Sequence, residues 1–271
     1  MISIINIILL AIPISEIIIQ LINYILSKCV KPKIIPKLDF SKGLPKEYST
    51  FVVIPTIINS EDKVKELLKK LEVYYLANKS ENLYFALLGD CTSSNYEKEK
   101  TDDEIIKAGL DIINELNKKY INNENDFPRF HVLYRKRTWN ESEGCYLGWE
   151  RKRGLLYQFN EYLVDGKDSF IVNTIKEYNK ENIKIKYVIT LDFDTNLILG
   201  SALELIGAMA HILNKPILNK TKDAVIEGHA ILQPRVGISL EASQKSLFTK
   251  LYAGIRRNGL LYKCNFRYIS R

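Results

Sequence analysis

The chain has 271 residues, of which 46% are hydrophobic, so it can bury one full core and leaves little room for a second complete domain. Its net charge of +7 comes from lysines mixed with acids, and no zinc-finger, helix-turn-helix or ribonucleoprotein pattern is present, so nucleic acid is not an expected partner. The four cysteines form no CxxC pair, which indicates reduced thiols rather than disulfides or metal ligands.

The first predicted element is an apolar helix. The run from Ile2 to Leu26 would span about 37 Å at roughly 1.5 Å per residue, which predicts a transmembrane helix over residues 1–28. Glu16 and Gln20 are costly inside a bilayer, so neighbouring spans are expected. No basic residue precedes the run and no small-residue cleavage site follows it, which disfavours a signal peptide. A helix buried in a soluble core is the alternative.

Positive charges follow this apolar run and none precedes it. They are Lys28, Lys31, Lys33 and Lys37. By the positive-inside rule the rest of the chain lies in the cytoplasm. The sequence therefore predicts a protein of the inner, cytoplasmic membrane whose soluble domain faces the cytoplasm.

A proline-interrupted linker is expected over residues 29–48, and a folded domain over residues 49–271. In that domain strands and helices alternate. Strands are predicted over 50–54, 83–88, 130–134, 187–191 and within 224–236, and helices from Ser60, over 101–120, 154–163 and 202–213. This order predicts an α/β fold with a mostly parallel sheet, helices on both faces and ligands beyond the carboxyl ends of the strands.

Two aspartates end the predicted strand Tyr187-Val-Ile-Thr-Leu191. Asp192 and Asp194 are separated by one residue, so they can point the same way where the strand leaves the sheet and hold Mg²⁺ or Mn²⁺ for a nucleotide. A phosphatase-type Asp-x-Asp nucleophile motif would need Thr or Val where Asn196 stands. A pair of solvated aspartates at a strand end is the remaining alternative.

A basic segment provides the second chemical signal. Six cations lie in the stretches from Arg135 to Arg137 and from Arg151 to Arg153, and the latter opens a helix. Arginine forks, lysine charges and free backbone N–H groups favour a diphosphate at such a place, and a solvated loop is the alternative. Trp139 and Trp149 could each offer a ring face to a hexose, or pack in the core.

Several short motifs together resemble the glycosyltransferase domain of cyclic β-1,2-glucan synthases (glycosyltransferase family 84), nearly from end to end. The motifs are Phe51-Val-Val-Ile-Pro-Thr56, Leu71-Glu-Val-Tyr-Tyr-Leu-Ala-Asn78, Phe85-Ala-Leu-Leu-Gly-Asp90, Trp139-Asn-Glu-Ser-Glu-Gly144, Gly148-Trp-Glu-Arg-Lys-Arg-Gly154, Leu191-Asp-Phe-Asp-Thr195 and Ile231-Leu-Gln-Pro-Arg-Val236. The resemblance implies a GT-A type nucleotide-sugar-binding fold. It also implies a membrane-bound glucosyltransferase that moves glucose from UDP-glucose to a β-glucan acceptor with inversion.

The resemblance also assigns site residues. Asp90 is similar to the strand-end acid near the uridine, and Arg151, Lys152 and Arg153 are similar to the basic helix start beside the diphosphate. Asp192 and Asp194 are similar to the metal-binding pair. Together these six residues are expected to bind the donor, and Mg²⁺ or Mn²⁺ is the expected cofactor.

Compared with that family, the sequence stops early, at Arg271. The catalytic residue is therefore unassigned, and the general base is expected beyond Arg271; Glu227 could serve as a base, or it could cap or pack. One expectation is a split synthase whose remainder comes from a partner encoded downstream. The alternative is a non-catalytic, membrane-anchored fragment that binds nucleotide sugar.

Overall fold

A computed structural model describes residues 2–29, 34–120, 127–176, 183–221 and 223–234, together with positions 237, 239, 243–247 and 249. The chain divides into two compact units, Met1–Ile35 and Pro36–Arg271. Lys31 and Lys33, the last two residues of the motif ending at Val236, and the terminal stretch 259–271 lie outside the described residues.

The first unit contains one long helix, α1, Ile2–Cys29. Its window Leu9–Leu26 has a mean hydropathy of 1.9 and is exposed throughout. By length and composition this is the one helix of the described residues that could cross a membrane. Pro13 lies inside it, and Lys28 lies in its last turn.

The second unit alternates strands and helices along the chain. Its elements are β1 Thr50–Ile58, α2 Glu61–Ala77, β2 Leu83–Cys91, α3 Lys100–Tyr120, β3 Phe130–Arg135, β4 Thr138–Asn140, β5 Cys145–Leu147, α4 Arg151–Asp165, β6 Phe170–Asn173, β7 Tyr187–Thr190, α5 Ser201–Ala210, β8 Ile217–Leu218 and β9 Val225–Glu227. Short 3-10 turns cover Lys46–Tyr48 and Ile212–Asn214.

The five-stranded sheet has the order β6-β3-β2-β1-β7. Four of these strands are parallel, and β6 is antiparallel to β3 at the edge. The predicted α/β fold with a mostly parallel sheet is confirmed. The chain runs outward from β1 to β3 and then returns to place β7 on the other side of β1. That reversal opens a crevice at the carboxyl ends of β1 and β7, which is where ligands bind in open sheets of this kind.

Local chemistry explains two element boundaries. The hydroxyl of Ser60 caps α2 by accepting a hydrogen bond from the backbone N–H of Lys63 at 3.3 Å, as its position before an acidic turn predicts. The first strand was expected to end at Ile54, before Pro55, but β1 continues to Ile58. Pairing between β1 and β7 stops at Val53 and Thr190, so Pro55 stands on an open edge, where a strand tolerates the missing N–H.

The sheet is covered on both faces. On one face Val52, Phe85 and Val132 pack against the apolar sides of α2, α3 and α5. On the other face Phe51 and Leu133 pack against α4. All nine residues of β2 are buried, as a central strand between two helical layers requires.

Part of the predicted linker packs on this core. Phe40 and Leu44 are buried there, and the backbone N–H of Leu38 donates to Gly207 O of α5 at 3.0 Å. A side chain at Gly207 would place its Cβ 2.2 Å from Leu38 O, so glycine permits this close approach.

Candidate functional site

The Asp-x-Asp turn lies in the crevice between β1 and β7. The N–H of Leu191 donates to Val53 O at 2.9 Å, which carries the chain one residue past β7. The chain then turns, with Thr195 N donating to Asp192 O at 3.0 Å. Asp192 and Asp194 are both exposed in this turn. The sequence prediction that the two carboxylates follow a strand end therefore agrees with the structure.

Helix α2 holds this turn from its other side. Lys70 Nζ donates to Phe193 O at 2.5 Å, and the hydroxyl of Tyr74 donates to Thr195 O. Burial lowers the pKa of Lys70, and the charge of Asp194 opposes that shift. Burial raises the pKa of Tyr74 to about 12, so its hydroxyl stays protonated as a donor. Neither residue was singled out from the sequence, because their helical spacing indicates only a packed face.

Asp90 lies at the end of β2 but is not open to solvent. It is 1% exposed, and both of its carboxylate oxygens accept hydrogen bonds from Arg135, from Nε and Nη2, at 2.8 Å each. The N–H of Cys91 donates to the same carboxylate at 2.9 Å. In this arrangement Asp90 contacts the site through Arg135.

Arg135 also donates hydrogen bonds to the backbone at the start of α4. Its Nη1 donates to Trp149 O and its Nη2 to Arg151 O, both at 2.7 Å. Gly148 makes room for the pair, since a Cβ there would lie 2.0 Å from Asp90 Oδ1. The buried pair thus fixes the backbone on which the predicted diphosphate-binding residues stand. Sequence reasoning had grouped Arg135 with the exposed cations, because its position in a basic run gives no sign of burial.

A second buried pair removes another cation from the surface. Arg137 donates through Nη2 to Asp102 Oδ1 of α3 at 3.0 Å, and through Nε to Thr92 O at 2.7 Å. Two of the six cations expected around a diphosphate are therefore committed to buried aspartates. The Asp90–Arg135 pair joins β2 to β3, and the Asp102–Arg137 pair joins α3 to the loop after β3.

The start of α4 is strained. Glu150 and Arg151 have φ values of 47° and 49°, and they are the non-glycine residues with positive φ among those described. Such a conformation costs about 1–3 kcal/mol per residue and is most often retained at functional sites. At Gly154 a Cβ would lie 1.9 Å from Trp149 O. The glycines that bound the motif 148–154 are thus required by packing.

The three cations at this helix start point to different partners. Arg151 Nη1 donates to Cys91 O at 3.2 Å. Lys152 Nζ forms an ion pair with Asp192 Oδ1. Arg153 pairs with Glu150, and its side chain is 81% exposed. The structure therefore brings Lys152 and the Asp-x-Asp turn together, while the predicted role of all six site residues in donor binding stays a prediction.

The donor set of the Asp-x-Asp turn suits a hard divalent cation. Mg²⁺ is commonly held by one or two carboxylates and completes its shell with water and substrate phosphates. Asp192 and Asp194 supply two exposed carboxylates, and the ammonium group of Lys152 already lies against one of them as a cation would. Among the described residues no cluster of three or more His, Cys, Asp or Glu side chains forms. Two carboxylates fit a metal that a diphosphate helps to bind.

A cavity of about 440 Å³ opens beside this helix start. It lies between the β4–β5 hairpin and the first turn of α4, and both tryptophans of the chain line it. Trp139 is 53% exposed and Trp149 is 47% exposed. Packing of these rings in the core, one of the two interpretations of the sequence, is therefore wrong.

Glu227, which could serve as a base by its sequence position, lies on the small β8–β9 sheet and is exposed. Cys91 is buried beside Asp90, and burial raises the pKa of its thiol to about 11. A buried thiol in that state is protonated at neutral pH and is a poor nucleophile.

Comparison with known proteins adds an independent result. No known protein-family profile matches the chain. The chain is similar to the cyclic beta-(1,2)-glucan synthase NdvB of Rhizobium meliloti (strain 1021), with 35% identity over 251 residues. The resemblance seen in the motifs is confirmed. The alignment covers 92% of this chain and 9% of that relative, so the chain spans less than a tenth of the length of the synthase.

Proposed function

We propose that the chain is a glycosyltransferase module that binds UDP-glucose at the crevice between β1 and β7 and transfers glucose to a β-glucan with inversion. The contact between Lys152 at the start of α4 and Asp192 in the Asp-x-Asp turn supports this proposal most directly. It brings a cationic helix start next to two carboxylates that could hold a divalent cation, at the point where the strand order of the sheet reverses. A nucleoside diphosphate binds through such cations and at such a place.

Each predicted residue has a role in the proposed site. Asp192 and Asp194 would hold the Mg²⁺ or Mn²⁺, which neutralises charge on the diphosphate. Arg151, Lys152 and Arg153 would contact the diphosphate, with Lys152 exchanging Asp192 for a phosphate oxygen. Asp90 would act through Arg135, by fixing the backbone of residues 149 and 151.

The proposed reaction moves one glucosyl group. An acceptor hydroxyl oxygen attacks the anomeric carbon, the bond from that carbon to UDP breaks, and UDP leaves with the electron pair. The acceptor proton goes to a base that is unassigned. Charge that builds on UDP is stabilised by preorganised cations, which is the main contribution that the described residues make.

We further propose that the module works at a membrane. Helix α1 could anchor it in the inner membrane, with the domain in the cytoplasm where nucleotide sugars occur. The relative is a glucan synthase by name, so donor and acceptor sugars are the partners we expect here.

Calorimetry of the full chain in detergent tests the site. UDP and UDP-glucose should bind in the presence of Mn²⁺ more tightly than GDP-mannose, and a chelator should weaken that binding. Asp194→Ala should lower UDP affinity at least tenfold, equal to about 1.4 kcal/mol. Asp165→Ala, which removes an exposed acid at the opposite end of α4, is the matched control and should change nothing.

The same titrations separate the diphosphate contacts from the metal. Replacing Arg151 and Arg153 with Gln should weaken UDP far more than uridine, because only UDP carries the charge that these residues meet. Equal losses for both ligands would indicate a folding defect. UDP binding that is insensitive to both the chelator and Asp194→Ala would refute the metal site but leave nucleotide binding intact.

A further inference from the structure

The tryptophan-lined cavity is a built groove and not a gap between loops. Two backbone hydrogen bonds tie the hairpin to the loop after β2, from Ser94 N to Tyr146 O at 2.9 Å and from Tyr146 N to Ser94 O at 2.8 Å. Asn140 Oδ1 closes the hairpin turn by accepting from the N–H of Ser142 at 3.0 Å. A preorganised wall of this kind lowers the entropy cost of binding a ligand.

A tyrosine contacts each of the two rings. Trp139 packs edge-on against Tyr146 at a centroid distance of 5.1 Å, and Trp149 packs edge-on against Tyr157 at 5.9 Å. Each ring therefore has one neighbour that fixes it, and about half of each residue remains exposed. Exposed aromatic area inside a cavity marks a binding site more often than a packing fault.

The rest of the lining is mostly acidic and polar, together with Leu147 and Arg151. Glu141, Glu143 and Glu150 contribute carboxylates, and Thr138 and Asn140 contribute neutral polar groups. A pyranose ring presents an apolar C–H face and a rim of hydroxyl donors. Aromatic faces match the first and carboxylates match the second, whereas three acids against one lining cation, Arg151, disfavour a diphosphate.

The cavity adjoins the proposed donor site through the start of α4. Arg151 lines the cavity, and its neighbour Lys152 contacts Asp192 of the metal-type turn. A ligand in the cavity and a nucleotide sugar at the turn would therefore meet along one helix start. This is the arrangement that a transfer reaction needs between its two substrates.

We infer that this cavity is the acceptor subsite, in which Trp139 and Trp149 stack on glucose units of a β-1,2-glucan chain and the hairpin acids bind their hydroxyls. This assignment rests on the proposed function, since it names the second substrate of the same reaction. It adds residues that the donor site does not use.

Intrinsic fluorescence provides a direct test, because the chain contains two tryptophans and both line the cavity. The full chain would be held in a detergent without a sugar headgroup and titrated with β-1,2-linked gluco-oligosaccharides. Saturable quenching or a shift of the emission is expected. The single variants Trp139→Phe and Trp149→Phe each keep one reporter, and each should still respond.

Affinity should depend on the rings themselves. Trp139→Ala should weaken oligosaccharide binding about tenfold, the equivalent of about 1.4 kcal/mol, and Glu143→Gln should weaken it less. Tyr96→Ala, at an exposed aromatic outside the cavity lining, is the control and should bind normally. Trp139→Phe and Trp149→Phe should keep the UDP affinity of the wild type, as measured by calorimetry.

Three results would overturn the assignment. One is oligosaccharide binding by calorimetry with unchanged emission, which would place the glucan elsewhere. Another is quenching by uridine or UDP and not by oligosaccharide, which would make the cavity a nucleotide site. The third is intact UDP binding without any oligosaccharide binding, which would refute the acceptor subsite while the donor site stands.

Discussion

Two buried ion pairs and one exposed ion pair lie on the side of the sheet where the parallel strands end. Asp90 with Arg135, and Asp102 with Arg137, have side chains that are less than a tenth exposed. Asp192 with Lys152 has side chains that are about half exposed. All three are ion pairs between a cationic side chain and an aspartate, but they differ in how far solvent reaches them.

The buried set is made of arginine and aspartate, and the exposed pair contains lysine. Arginine can satisfy two carboxylate oxygens and still reach backbone carbonyls, as Arg135 does with Trp149 and Arg151. Lysine gives a single mobile charge that is easily exchanged for another partner. The buried Asp90–Arg135 pair thus differs from the exposed pair, because backbone carbonyls fill the remaining hydrogen-bond capacity of Arg135.

The largest expected effect follows from breaking the buried pair. Asp90→Asn leaves the Arg135 guanidinium buried without its countercharge, which typically costs about 3–5 kcal/mol of folding free energy. Asp192→Asn, in the exposed pair, should cost about 1 kcal/mol or less. Chemical denaturation of both variants, in the same detergent, measures the difference. Equal losses would show that burial does not separate the two sets.

A double variant sharpens this point. Asp90→Leu with Arg135→Met replaces the ion pair by apolar side chains and should recover most of the lost stability. It should not recover UDP binding, because the hydrogen bonds from Arg135 to the start of α4 remain absent. Recovery of both would mean that the pair contributes only to folding.

A second prediction concerns a buried histidine. His131 of β3 is fully buried, and burial lowers its pKa to about 3, from the ordinary value of 6.5. Its Nε2 donates to Pro128 O at 2.9 Å, which suits the neutral ring. Burial therefore makes protonation of His131 unfavourable in the folded chain.

The direction of the pH effect on folding stability follows from proton uptake by His131 on unfolding. Between pH 6.5 and about 3 the unfolded chain binds a proton at His131 that the folded chain does not. Stability should therefore fall as the pH falls through this window, by up to about 1.4 kcal/mol per pH unit. Denaturation of the wild type and of His131→Phe at pH 7 and pH 5 isolates the effect. A difference between the two proteins that does not change with pH would contradict it.

The sequence predicted the central layers of the fold well and the site only in part. Strands β1, β2, β3 and β7 carry long apolar runs, and the helices between them carry spaced apolar faces, so local pattern and tertiary packing agree. The edge strand β6 and the β4–β5 hairpin were not predicted. They have three or four residues each, too few to show a periodic pattern, and β6 pairs with β3, which is distant in sequence.

For the site, the sequence predicted where the aspartates lie along the strands, but it did not predict which of them are buried. Asp90 lies at the carboxyl end of β2, and Asp192 and Asp194 follow β7, so all three are at the edge of the sheet where parallel strands end. Whether an aspartate there faces solvent depends on which arginine reaches it. The basic run 135–137 does not show which of its arginines is buried. That depends on Asp90 of β2 and Asp102 of α3, which are distant in sequence and pair with Arg135 and Arg137.

The smallest predicted effect concerns Tyr74, which positions the Asp-x-Asp turn but is not expected to contact the ligand. Tyr74→Phe removes one hydroxyl that donates to Thr195 O beside the Asp-x-Asp turn, and should cost about 1 kcal/mol of stability. Tyr75→Phe is the matched control on the next position of α2, where the ring packs against Phe85 and Phe130. Tyr74→Phe should weaken UDP binding less than Asp194→Ala does, because the carboxylates remain while their turn loosens, and Tyr75→Phe should leave binding unchanged. Calorimetry with UDP and Mn²⁺ compares the three, and a Tyr74→Phe variant that binds UDP as tightly as the wild type would mean that Lys70 and the strand end position the turn without it.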